Sequence, residues 1–179
     1  MNKTELQKEM KMSYNELIAY SHKKYGKPTG SYFLRPTCKS PNTSIKRTAD
    51  GLFVHHVKEM EIDDLSKTAQ ALKAPWSYQE PDNLCYFDYL EHLLAHVLIN
   101  IHRCQQCDSF IIDGLLRYLI PCINDVYRRE TPYTENWRNK TKEAIADNYE
   151  EYKDILRHWL EQIQPYDFEG LTLEELLDL

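Results

Sequence analysis

The sequence predicts an α+β fold, mainly α, in which a small strand, loop, strand and helix unit is wrapped by further helices. Two short β-like runs precede Leu90, apolar residues then recur at helical period to Ile101, and a second helical stretch covers 109–163. The 179 residues, 42% hydrophobic with 5 Gly and 8 Pro, fit one domain or one small domain with helical extensions. Disordered and collagen-like chains are excluded by that composition, and no run approaches the roughly 18 apolar residues of a membrane span.

The elements follow in order. The N-terminus, MNKTELQKEMK, is polar and amphipathic and lacks the apolar stretch of a signal peptide, so a cytoplasmic location is expected. Ser13 and Glu16 have capping-box spacing and open a helix over 15–25 that Gly26 and Pro28 stop. Residues 27–50, broken by Pro28, Gly30, Pro36, Pro41 and Asn42, read as a basic extended stretch, which completes a first segment, 1–50. Gly51 begins a β-like run over 52–57. Residues 58–80 are polar and acidic around Glu59, Glu61, Asp63 and Asp64, with a short helix expected near 64–72 and ended by Pro75. A second β-like run, 83–87, precedes Asp88 and Glu91, a further capping-box pair that starts the Leu90–Ile101 helix. These elements make up a second segment, 51–103. The third, 104–179, is expected to hold a helix over 109–129 with Pro121 as kink or break, a helix over 134–163 ended by Pro165, and a short acidic amphipathic helix over 171–179.

The net charge of −6 and pI near 5.6 argue against a surface that attracts nucleic acid everywhere. The charges are unevenly placed, however. Residues 1–50 hold ten Lys/Arg against four Asp/Glu, 51–129 seven against eleven, and 130–179 five against thirteen. A basic front facing a polyanion and an acidic back facing solvent or a basic partner would produce this pattern, as would ordinary solvated helix faces. The five cysteines are odd in number and read as free thiols; Cys104-x-x-Cys107 has no second pair to complete a zinc knuckle.

Four of the seven histidines fall in two pairs, His55-His56 and His92-x3-His96. The i, i+4 pair puts two imidazoles on one helix face, close enough to share a cation, although packing alone is compatible with it. Neighbouring histidines on a strand point to opposite faces, so His55 and His56 cannot do the same job.

The pattern Val54-His55-His56-Val57, then Pro81-Asp82-Asn83-Leu84, then Glu91-His92-Leu93-Leu94-Ala95-His96 resembles the HNH nucleases of the His-Me finger superfamily. The resemblance covers about 52–101, and its phrasing is also similar to small HNH-type proteins of bacteria and their mobile elements. It implies a ββα-metal core with flanking helices and metal-dependent hydrolysis of phosphodiester bonds in DNA. His55, His92 and His96 would hold one divalent metal ion, with Zn, Ni, Co or Mn favoured over Mg by all-imidazole ligation. His56 would be the general base that activates water, and Asn83 would hold its ring in position. Glu91 is open to three readings, a ligand, a partner of a ligand, or the helix cap, of which the cap is the simplest.

Lys27, Arg35, Lys39, Lys46 and Arg47, interleaved with Tyr25, Tyr32 and Phe33, are candidate nucleic-acid contacts, the cations for phosphates and the aromatics for exposed bases. The alternative for this stretch is packing by its aromatics and solubility from its lysines. DNA is expected over RNA as the partner, and no membrane partner is expected. The acidic C-terminal third also suits a basic protein partner. The alternative function is therefore a phage or plasmid counter-defence protein that binds, or acts within, a nucleic-acid-handling complex.

Overall fold

The computed structural model describes residues 3–167 and 170–179. A short helix that the sequence pattern did not disclose, α1 (Lys3–Glu9), leads into α2 (Tyr14–Tyr25). The start of α2 is set by the expected capping box: the Ser13 hydroxyl accepts from the Glu16 N–H at 3.4 Å, and the Glu16 carboxylate accepts from the Ser13 N–H at 2.8 Å. Residues 27–50 form an irregular, largely exposed stretch with two short 3₁₀ turns, in which Phe33, Cys38 and Ile45 are buried. Gly51 ends it at φ +75°, where a Cβ would stand 3.1 Å from the Lys140 carbonyl oxygen, so both the backbone angle and the close approach of another segment require glycine.

Strand β1 (Phe53–His56) pairs antiparallel with β2 (Leu84–Phe87), placing His55 opposite Cys85 and His56 opposite Leu84. The connection between them contains α3 (Thr68–Ala71), much shorter than the helix expected over 64–72. Asp64 adopts φ +58° there, and a right-handed helix cannot run through such a residue. One residue after β2, Asp88 caps α4 (Tyr89–Cys107), accepting from the Leu90 and Glu91 N–H groups at 2.9 and 3.0 Å. Helix α4 is buried on most of its circumference and is the axis of the molecule.

The region 109–129 is not one helix. Asp108 ends α4 in the left-handed conformation, and helical structure resumes only with a π-helical turn over Leu115–Leu119 that runs into α5 (Ile120–Arg128). Pro121 lies in the first turn of α5 directly after the π-helical turn, so the helix changes type at the proline, which lacks an N–H for the preceding turn, and continues through it. The single helix expected over 134–163 is likewise two, α6 (Asn136–Ile145) and α7 (Tyr149–Ile163). They are separated by a turn in which the Asn148 N–H donates to the Ile145 carbonyl at 3.0 Å. Asp147 and Asn148 favour such turns over continued helix, a preference that the unbroken alternation of charges conceals. The expected C-terminal helix is α8 (Leu173–Asp178), capped by Thr172 and anchored by buried Leu176.

The chain is thus α+β and mainly α, with a two-stranded sheet. One buried cluster runs from Leu6 of α1 through α2, β2, α4, α5 and α7 to Leu176 of α8, so all three sequence segments share a core. A smaller cluster of Phe33, Cys38 and Ala71, flanked by Tyr32 and Trp76, fastens the basic stretch to the connection between the strands. The five cysteines are free. No helix among the described residues is long and apolar enough to cross a membrane.

Between α1, α2 and α4, the Lys24 ammonium meets three carboxylates, Glu5 at 3.1 Å, Glu9 at 3.4 Å and Glu91 at 2.7 Å. Burial and the Glu91 charge hold the Glu9 carboxyl well above the usual carboxylate range, at about 8. The folded state therefore keeps a proton that the unfolded chain releases near pH 4.5, and stability from this group declines as pH rises from there towards 8. Glu9→Gln removes that decline. Its stability relative to wild type should rise between pH 5 and 8 by about 1–3 kcal/mol, measured by urea unfolding at each pH.

Candidate metal centre

The antiparallel register and the immediate start of α4 bring His55 over the first two turns of that helix. The His55 ring lies 5.1 Å from the His92 ring and 5.2 Å from the His96 ring, centre to centre. One nitrogen from each forms a group whose members are all within 4.8 Å of one another. The Nε2 atoms of His92 and His96 are 3.2 Å apart. Two imidazoles sharing one zinc-sized ion at roughly 2.0–2.1 Å each would be about 3.3 Å apart, so the His92–His96 pair fits such an ion, with a His55 nitrogen within 4.8 Å of both.

The hydrogen bonds around His55 determine which nitrogen is available. The Tyr14 hydroxyl has a single hydrogen and donates it to the Val57 carbonyl at 3.0 Å. It therefore accepts from His55 Nε2–H, 2.9 Å away, which leaves a lone pair on Nδ1. Nδ1 is buried, has no hydrogen-bond partner among the described residues and lies 3.7 Å from Glu59 Oε2. Burial pushes all three rings below the ordinary histidine range, reinforced by the neighbouring histidines for His55 and His92 and by Arg103 for His96, which falls to about 4, so they are neutral at pH 7 as metal ligation requires. Tyr14→Phe would strand both His55 Nε2–H and the Val57 carbonyl. It should cost about 1–3 kcal/mol of stability by thermal melting and weaken metal binding roughly 10–100-fold by calorimetric titration.

His56, on the other face of β1, packs its ring 4.5 Å from that of Tyr32. Its Nε2 is 2.9 Å from the Gln79 side-chain oxygen, while the Gln79 amide nitrogen donates to the Leu65 carbonyl at 3.2 Å. Gln79 is thereby fixed with its oxygen towards the ring, His56 carries its hydrogen on Nε2, and Nδ1 is a free acceptor. Burial pushes His56 down to about 4. The role expected of Asn83 thus falls to Gln79. The Asn83 amide donates to the Ser77 carbonyl at 2.8 Å, and no hydrogen bond joins it to His56 among the described residues. Glu91 is the helix cap: it accepts from the Asp88 N–H at 2.9 Å, from Lys24 at 2.7 Å and from the Tyr25 hydroxyl at 3.0 Å, and is not in the imidazole group.

A cleft of about 840 Å³ opens onto the histidines. Phe53 and Tyr89 line it as a stacked pair, 4.5 Å between ring centres and 2° between planes, with Trp137 edge-on to Phe53 at 6.2 Å. Of the five basic residues singled out in the sequence, Lys46 alone lines this cleft. Lys27 pairs with Asp82 at 2.7 Å, Arg47 is held by Asp50 and the Tyr25 carbonyl, and Arg35 and Lys39 are exposed outside the cleft. The other cleft cations are Lys67, Arg103 and Arg117, and Asp64 and Asp63 occupy the first two. Tyr14, Gln79 and Arg103 carry no local sequence signal of such roles, since their partners lie tens of residues away. No family model, curated protein or solved structure matches the chain.

Proposed function

We propose that the protein is a metal-dependent phosphodiester hydrolase acting on DNA, an HNH-type endonuclease whose ββα-metal core is β1, β2 and the first turns of α4. The observation that carries this reading is that one nitrogen from each of three imidazoles converges at the foot of a cleft into which a fourth, neutral imidazole also faces. A divalent ion held by His55, His92 and His96 would polarise the scissile phosphate and stabilise charge growing on the leaving oxygen. His56, its Nε2–H fixed by Gln79, takes the proton of the attacking water on Nδ1. Lys46 and Arg117, which have no carboxylate partner among the described residues, supply phosphate contacts along the cleft. The Phe53–Tyr89 pair and Trp137 offer faces on which an unpaired base can stack.

The test is cleavage of supercoiled plasmid, a single-stranded oligonucleotide and an RNA of the same sequence with Zn, Ni, Mn or Mg, against a chelated control. Cleavage of DNA that requires an added ion is expected. Failure to cut any of the three with any ion would overturn the proposal.

A further inference from the structure

We propose that Glu59 is the fourth protein ligand of this centre, making it three imidazoles and a carboxylate; the inference rests on the reading of the triad as a metal site. Glu59 lies on the 3₁₀ turn Val57–Met60, directly after β1, and its side chain turns inward to a residue exposure of 9%. Oε2 is 3.4 Å from His96 Nε2 and 3.7 Å from His55 Nδ1, and Oε1 is 3.8 Å from His56 Nδ1. Tyr14 and Gln79 hold the hydrogens of His55 and His56 on the opposite, Nε2, nitrogens. One Glu59 oxygen therefore faces the His55 lone pair and the other that of His56, at 3.7 and 3.8 Å, beyond a hydrogen bond.

A cation between the groups would satisfy these acceptors together. No lysine or arginine supplies it: among the described residues the ion-pair contacts of this carboxylate are with His55, His56 and His96 alone. Arg103 is adjacent but is used otherwise, donating to the Glu59 backbone carbonyl and pairing with Asp63 and Asp113. It fixes the turn, while the Glu59 side chain itself has a backbone hydrogen bond with Leu65. An ion on His55 Nδ1, His92 Nε2 and His96 Nε2 would have Oε2 as its next neighbour on the His55 and His96 side. A carboxylate in the set lowers the net charge of a divalent centre by one, and a position for the phosphate of the proposed reaction then calls for an ion such as Mn, or an expanded Zn, that takes more than four ligands. Because Oε1 reaches towards His56, one side chain would touch both the ion and the base.

The experiment is calorimetric titration of the metal-free chain with Zn(II) and with Co(II), together with the visible spectrum of the Co(II) form, for wild type, Glu59→Gln, Glu59→Asp and His92→Ala. Wild type should bind one equivalent. Glu59→Gln should bind at least ~10²-fold more weakly and with an altered Co(II) spectrum, since loss even of an outer partner costs 10–100-fold. Glu59→Asp, which keeps the charge but withdraws the oxygens by one methylene, should also be weakened about 10-fold or more. Thermal melts of the metal-free forms establish that each variant is folded, and Glu59→Asp carries the test if Glu59→Gln is not. Wild-type affinity and spectrum in Glu59→Gln would overturn the proposal while leaving the three-histidine site standing. Wild-type affinity in Glu59→Asp with loss in Glu59→Gln would reduce Glu59 to a nearby charge and overturn it also. Absence of binding by wild type would overturn the metal-site reading itself, and the fourth ligand with it.

Discussion

Replacing His56 by alanine is expected to lower the rate of DNA cleavage roughly 10²–10⁴-fold, the range for losing a positioned general base, while one equivalent of metal is still bound. The separation of the two effects follows from the strand geometry. His55 and His56 are adjacent on β1 and project to opposite faces, so truncating one leaves the other's ring and its Tyr14 contact in place. The change strands the Gln79 oxygen, which is buried with His56 as its hydrogen-bond partner, and a cost of about 1–3 kcal/mol in stability accompanies the loss of rate. Calorimetric metal titration and a thermal melt of the variant therefore go with the cleavage assay. An unchanged rate in a variant that still binds metal would remove His56 from the reaction.

The parts of the molecule that were legible in the sequence are those specified by local pattern. The starts of α2 and α4 follow from Ser13/Glu16 and Asp88/Glu91 because each capping box is complete within four residues. The convergence of His92 with His96 follows from helical spacing, and that of His55 with both follows once β2 runs directly into α4. What was not legible depends on contacts across the chain. Tyr14 reaches His55 over 41 residues and Gln79 reaches His56 over 23, and nothing near either residue marks it out. Asn83 occupies the right place in the motif, but a 3₁₀ turn over Pro81–Asn83 directs its amide to Ser77, and Gln79, two residues before that turn, takes the contact. The charge of the basic stretch is also partly a matter of distant contacts. Lys27 carries charge that composition reports, yet its partner Asp82, 55 residues away, is revealed only by folding.

The largest loss of stability is expected at Trp159, far from the chemistry. Trp159 is fully buried in α7, and its indole N–H donates to the side-chain oxygen of Asn100 in α4 at 2.9 Å. The Asn100 amide nitrogen in turn donates to the Ile111 carbonyl at 3.0 Å and to Asp113 at 3.1 Å, so this one fully buried asparagine joins α4, α7 and the connection between α4 and α5. Trp159→Ala empties the space of a large ring, which costs about 3–5 kcal/mol in well-packed cores. It also leaves the Asn100 oxygen with only the weak Cys104 thiol donor at 3.6 Å, adding about 1 kcal/mol or more. For a chain of this length such a loss lowers the melting temperature by on the order of 10 °C or more. Trp159→Phe keeps most of the packing and removes the N–H, so it isolates the hydrogen bond and should cost about 1–3 kcal/mol. Urea unfolding of the two variants measures both quantities. Equal losses would place the stabilisation in the polar node, whereas a loss in Trp159→Phe near zero would place it in packing alone. The expected ordering, with alanine well below phenylalanine and phenylalanine measurably below wild type, requires both, and it would show that the helix carrying His92 and His96 is held from behind by α7.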